Sequence, residues 1–173
     1  MNKLFFATAF VCLSALAAFA QKPADFSGKW NLDLTKSELG QQASMIKSQT
    51  LTITQSGTSF KVSTATERNA PPADAAGGGG GGRPGGMGGG GGEQSYTLDG
   101  KEVSTERQGQ NGTVTTKTTA SQTGNKIVIS SIFPGPSGDI KSTTTYELSG
   151  DGKSLTVTRE SPRGSSKSVY TKG

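Results

Sequence analysis

Two stretches of the chain nearly repeat one another: Tyr96-Thr97-Leu98-Asp99-Gly100-Lys101-Glu102-Val103 and Tyr146-Glu147-Leu148-Ser149-Gly150-Asp151-Gly152-Lys153-Ser154-Leu155-Thr156-Val157. Each reads as a short alternating strand, an Asp-Gly turn and a second alternating strand. Asp-Gly is a strong hairpin signal, because the tight turn between paired strands needs φ > 0 and glycine reaches it without a Cβ clash. An antiparallel β protein is therefore expected.

Outward from these stretches the period of two recurs. Residues 28–34 set Trp30, Leu32 and Leu34 on one face, and residues 50–55 set Leu51 and Ile53 together. Ser56-Gly57 reads as a turn, after which Phe60 and Val62 continue the apolar face. Similar runs lie at 94–98, 101–107, 113–120, 126–133, 139–148, 154–160 and 167–171, punctuated by Asn111-Gly112, Gly124-Asn125 and Gly135-Pro136. The 21 threonines beyond residue 20 suit the wet face of a pleated sheet. The unbroken Ile127-Val128-Ile129 predicts a strand covered on both faces. One short helix is expected, within residues 37–47. About ten short strands at close spacing imply a barrel or a sandwich, and closure removes the free edges that a threonine-rich sheet would otherwise expose.

Residues 1–20 read as a signal peptide. Lys3 supplies the charge, residues 4–16 the apolar run, and Ala18-Phe19-Ala20 the small-residue cleavage site before Gln21. The run is too short to cross a membrane core of roughly 30 Å. Cys12, the only cysteine, lies inside it, so the processed chain has no thiol and no disulfide. The expected domains are the signal peptide, 1–20, and one barrel domain, 21–173, exported to the periplasm or the medium. The core is lean: Leu, Ile, Val and Phe make up 22 of those 153 residues. Residues 70–92 interrupt the strands, with thirteen glycines in 77–92. Such a tract cannot offset the entropy of ordering its backbone, so it is expected to be a disordered loop within the one domain.

The processed chain carries 17 basic and 13 acidic residues, and the basic ones stand beside acids: Arg68 by Glu67, Lys101 by Glu102, Arg107 by Glu106, Arg159 by Glu160. That pattern describes solvated strand faces and argues against a nucleic-acid partner. The chain has no histidine, which removes the commonest general base and metal ligand. Two carboxylate pairs are the remaining acid–base candidates, Glu102 with Glu106 and Asp99 with Asp151. The first reads as a solvent face and the second as turn aspartates. Gly152-Lys153-Ser154 imitates the end of a phosphate loop, but Glu147 stands where the leading glycine is needed, and a hairpin turn accounts for it. The expectation is a protein that is not an enzyme and has no cofactor or metal.

Asp25-Phe26-Ser27-Gly28-Lys29-Trp30-Asn31-Leu32-Asp33, followed by Lys36-Ser37, resembles the opening of lipocalin-like secreted bacterial proteins, with Gly28-Lys29-Trp30 as their G-x-W signature. Residues 98–102, residues 148–157 and Ser161-Pro162-Arg163-Gly164 resemble the middle and end of such chains. The resemblance implies an all-β, single antiparallel meander barrel of eight to ten strands, of the calycin type, whose mouth receives a small apolar ligand. It also implies an arginine packed across the first-strand tryptophan. Leu155, Val157 and Arg159 share parity, so Arg159 or Arg163 is expected near Trp30, a cation–π pair worth about 0.5–2 kcal/mol.

Two functions stay open. The first is a binding module for an apolar or amphipathic molecule, with Trp30, Phe60, Tyr96, Tyr146 and Arg159 as candidate lining residues. The face of Val114, Thr116, Thr118 and Ala120 carries side chains small enough to border a space. The second is a cell-envelope structural or interaction protein with a protein partner and no small ligand. Either would be a monomer with no membrane span after processing.

Overall fold

The computed structural model describes residues 23–69, 92–109, 112–135 and 138–173. Residues 1–20, read above as a signal peptide, and most of the glycine tract lie outside these residues. Ten strands follow in chain order: β1 (Gly28–Leu32), β2 (Ile46–Ser56), β3 (Ser59–Arg68), β4 (Glu93–Thr97), β5 (Asp99–Gly109), β6 (Gly112–Thr123), β7 (Lys126–Gly135), β8 (Gly138–Leu148), β9 (Ser154–Ser161) and β10 (Gly164–Lys172). A 3₁₀ turn over Gly40–Met45 is the only helical piece among the described residues, where the short helix was expected.

All ten strands form one antiparallel sheet in the order β4-β3-β2-β1-β10-β9-β8-β7-β6-β5. Each neighbour is next in sequence except at β1 and β10, whose pairing (Trp30 opposite Lys172, Leu32 opposite Tyr170) rolls the meander into a nearly closed barrel. A seam remains between β4 and β5.

The two near-repeats fold differently. Leu148 pairs with Leu155 across the Asp151-Gly152 turn, with Gly152 at φ 68°, so this one is the expected hairpin. The stretch around Asp99-Gly100 is not. Gly100 also takes a positive φ of 75°, but β4 pairs back onto β3 (Tyr96 opposite Phe60) while β5 pairs onward to β6 (Asp99 opposite Ser121). Leu98 N–H donates to Thr58 O at 2.8 Å and Lys101 N–H to Asp99 Oδ1 at 3.0 Å. The corner is satisfied locally, and the two strands leave it on opposite sides of the seam.

Residues directly opposite in an antiparallel ladder share a face, and one face of every strand points into the barrel. The fully enclosed side chains include Phe26, Trp30, Leu51, Phe60, Ile127, Leu155, Val157 and Tyr170. Nearly all of them sit close to one end, here the lower end, where the β2–β3, β6–β7 and β8–β9 turns gather. Val128 corrects one expectation: Ile127 and Ile129 are buried inside, but Val128 faces outward and is only half-covered.

Residues 23–27 plug the lower end. Trp30 Nε1 donates to Phe26 O at 2.9 Å, and Phe26 N–H donates to Gln55 Oε1 at 3.0 Å. Gln55 Nε2 then donates to Gln122 Oε1 at 2.7 Å, and Gln122 Nε2 to Ala24 O at 2.7 Å. Two glutamines on opposite walls thus tie the leading segment under the core. Gln122→Ala breaks this chain and leaves the Ala24 carbonyl and the Gln55 amide short of partners, an expected loss of about 1–3 kcal/mol. Trp30→Ala empties the centre of the floor, an expected loss of about 3–5 kcal/mol. Urea unfolding followed by circular dichroism measures both.

Candidate binding site in the upper barrel

Along each strand the inward positions change character with height. On β7 they run Ile127, Ile129, Ser131, Phe133 from the lower end upward, and on β9 Leu155, Val157, Arg159, Ser161. On β8 they run Leu148, Tyr146, Thr144, Ser142, and on β10 Tyr170, Ser168, Ser166. Large apolar side chains therefore fill the lower half, while the upper half carries hydroxyls together with Val103, Val114, Phe133 and Ile140. The register joins these into rings: Thr118 lies opposite Ser131 and Ser131 opposite Ser142, and Thr144 lies opposite Arg159 and Arg159 opposite Ser166. Thr118 Oγ1 and Ser131 Oγ share a hydrogen bond of 3.1 Å.

At the boundary between the halves sits a cluster that unites three of the five predicted lining residues. Arg159 of β9 reaches inward and interacts electrostatically with Tyr96 of β4, Tyr146 of β8 and Tyr170 of β10. These are all the tyrosines of the chain. Tyr170 OH donates to Gln49 Oε1 at 2.6 Å, Gln49 Nε2 donates to Thr66 Oγ1 at 2.8 Å, and Tyr96 OH donates to Gln94 Oε1 at 2.9 Å. Burial pushes the Tyr146 hydroxyl well above the usual phenol range despite the opposing pull of Arg159, and it raises Tyr96 and Tyr170 in the same way. The phenols stay neutral.

The other two predicted residues, Trp30 and Phe60, fill the floor rather than line a space. Both are fully buried, and Phe60 packs edge-on against Phe26 (6.3 Å) and Tyr146 (5.3 Å). The expected arginine–tryptophan pair does not form. Lys172 Nζ lies 5.3 Å from the centre of the Trp30 ring instead. Arg159 stands opposite Ser166, six residues up β10 from Lys172, about 20 Å along the strand. Arg163 occupies the exposed β9–β10 turn at the upper end. Shared parity put Arg159 on the inner wall, but its height on that wall depends on register. Sequence reasoning missed Tyr170, Gln49 and Gln94. Tyr170 was open to discovery, since it shares parity with Ser166 and Ser168 on a recognised strand.

The charges are segregated. The strand glutamates Glu67, Glu93, Glu102, Glu106, Glu147 and Glu160 all occupy outward register positions, as do Asp99 and Asp139. Glu102 pairs with Lys117 at 3.3 Å on the outer wall. Backbone N–H donation from Lys101 holds the Asp99 carboxyl below its usual range, and the Ser149 hydroxyl with the Lys153 N–H does the same for Asp151. Neither predicted carboxylate pair is assembled as a pair. Among the described residues no group of three or more His, Cys, Asp or Glu is placed to hold a metal ion, and no helix is long and apolar enough to cross a membrane. Two depressions of about 210 and 260 Å³ lie by Ile132, Phe133 and Pro134 and by Pro23 and Gln55.

No protein-family model matches the chain, and no curated protein does. Solved structures do match. Secretory abundant heat soluble protein 4 from Ramazzottius varieornatus aligns at TM-score 0.52 and 19% identity, over 88% of this chain and 99% of that one. Apo lipid binding protein 8 of Caenorhabditis elegans aligns at 0.52 and 15%, over 86% and 95%. The REP1-NXSQ fatty acid transporter aligns at 0.50 and 18%, over 86% and 96%. At these identities the likeness shows the fold alone: an antiparallel ten-stranded meander that closes into a barrel.

The tyrosine cluster makes a pH prediction. Unfolded tyrosine ionises near pH 10, and the folded values lie higher. A raised folded value stabilises the protein fully below about pH 10 and loses that contribution as pH climbs through the folded values. Stability is therefore expected to fall above about pH 10, with phenolate absorbance rising together with unfolding rather than before it. Early phenolate absorbance in folded protein would contradict the burial of the cluster.

Proposed function

We propose that the protein is an exported, monomeric binding protein that receives a small amphipathic molecule in the upper half of its barrel and performs no catalysis. One observation carries this reading: the lower half of the interior is filled by the chain's own side chains, while the hydroxyl-lined upper half stands over an exposed cation, Arg159. A guanidinium on the inner wall, with Thr144 and Ser166 opposite it, suits a ligand with a polar or acidic group. The solved structures named as a fatty acid transporter and a lipid binding protein support small-molecule binding by this type of barrel. The signal-peptide reading of residues 1–20 supports export. The ligand-free envelope protein rests on the glycine tract, which is mostly outside the described residues, and no structural observation favours it.

Native mass spectrometry of the secreted protein is expected to show a bound small molecule, and anilinonaphthalene sulfonate is expected to bind with enhanced fluorescence. Thr118→Trp fills the upper half from the wall and should weaken the dye at least tenfold, with the β spectrum unchanged. Equal dye binding by wild type and Thr118→Trp would remove the upper barrel as the site.

A further inference from the structure

We infer that the barrel takes its ligand head first: the inserted part is a compact, hydroxylated anion of the sugar-acid kind, and any acyl part stays at the mouth. This rests on the binding reading above and assigns the chemical class and orientation of the ligand.

Three observations lead to it. The first is volume. A long hydrocarbon tail needs an apolar channel, and the only apolar half of the interior is closed by Trp30, Phe60, Ile127, Leu155, Val157 and Tyr170, each fully or almost fully buried. The second is lining. Above that floor the walls present Thr116, Thr118, Ser131, Ser142, Thr144 and Ser166, all half-exposed, on the three neighbouring strands β6, β7 and β8 and on β10. Hydroxyls left unpaired by an alkyl chain would lose their water partners without replacement, whereas a ring bearing hydroxyls can exchange hydrogen bonds with them. Tyr96 offers a half-buried ring beside them on which the apolar face of such a group can rest.

The third observation is charge. Arg159 takes part in none of the six ion pairs among the described residues. Arg107 shares the inner face too, opposite Val114. With the strand carboxylates all outside, the interior potential is positive and selects an anion. The exposed large apolar side chains nearer the rim complete the orientation: Leu34 and Met45 lie in the β1–β2 connection at the upper end, and Val114 lies on the inner face one inward step above Thr116, while Val103 stands level with Thr118. An apolar tail that stays at the mouth meets Leu34, Met45 and Val114.

The test uses the processed full chain and four probes: octyl glucuronide, octyl glucoside, octanoate and oleate, titrated by calorimetry. Octyl glucuronide is expected to bind at least tenfold more tightly than each of the others. Arg159→Gln should remove at least tenfold of that affinity and leave octyl glucoside unchanged, and Arg159→Lys should restore part of it. Circular dichroism of each variant verifies the fold. Oleate or octanoate binding as tightly as octyl glucuronide overturns the head-first assignment while leaving the binding function standing. Equal loss of octyl glucoside in Arg159→Gln overturns the role of charge. If none of the four binds and the dye does not either, the assignment and the binding function fall together.

Discussion

The pairing of β1 with β10 is the constraint on which everything else depends. A meander without it would be an open sheet with two wet faces and a lean apolar stripe. Once Trp30 stands opposite Lys172 and Leu32 opposite Tyr170, one face becomes an interior. Trp30 is then enclosed on all sides: Phe26 O accepts its indole N–H, and the Lys172 ammonium lies over its ring. The short leading segment, tied by Gln55 and Gln122, covers the end that the strands leave open.

The division of that interior follows from what a small core can support. Each large side chain enclosed at the floor contributes about 1.5–3 kcal/mol relative to exposure, and the chain has few such residues. Concentrating them at one end gives a dry, well-packed cluster; spreading them over ten strands would leave voids. The upper half is consequently made largely of small hydroxylated residues, and it is where a lone guanidinium is tolerable. A fully buried, unpaired Arg159 would cost several kcal/mol in lost hydration. It remains exposed to solvent while resting on neutral phenols, so charge and aromatic surface meet without a compensating carboxylate.

Much of this was legible residue by residue. The alternation at 50–55, 60–62 and 155–159 names the inward side chains, and the structure places them there. The Asp151-Gly152 turn was read correctly, whereas Asp99-Gly100 was taken for a hairpin because glycine's positive φ is the same at a hairpin and at a corner between unpaired strands. Local conformation carries no information about which neighbour a strand chooses. The misplacement of Arg159 has the same origin, since parity gives a face and only register gives a height.

The amino-acid order alone determined the strand class and the inward faces of β1, β2, β3, β6 and β9, because a period of two is a property of each strand by itself. Only the tertiary structure decided that the apolar ends of the strands coincide at one end of the barrel, that the seam falls between β4 and β5, and that tyrosines from β4, β8 and β10 interact with one arginine of β9. Those are relations between strands, set by cross-strand hydrogen bonding and closure, and no single segment contains them.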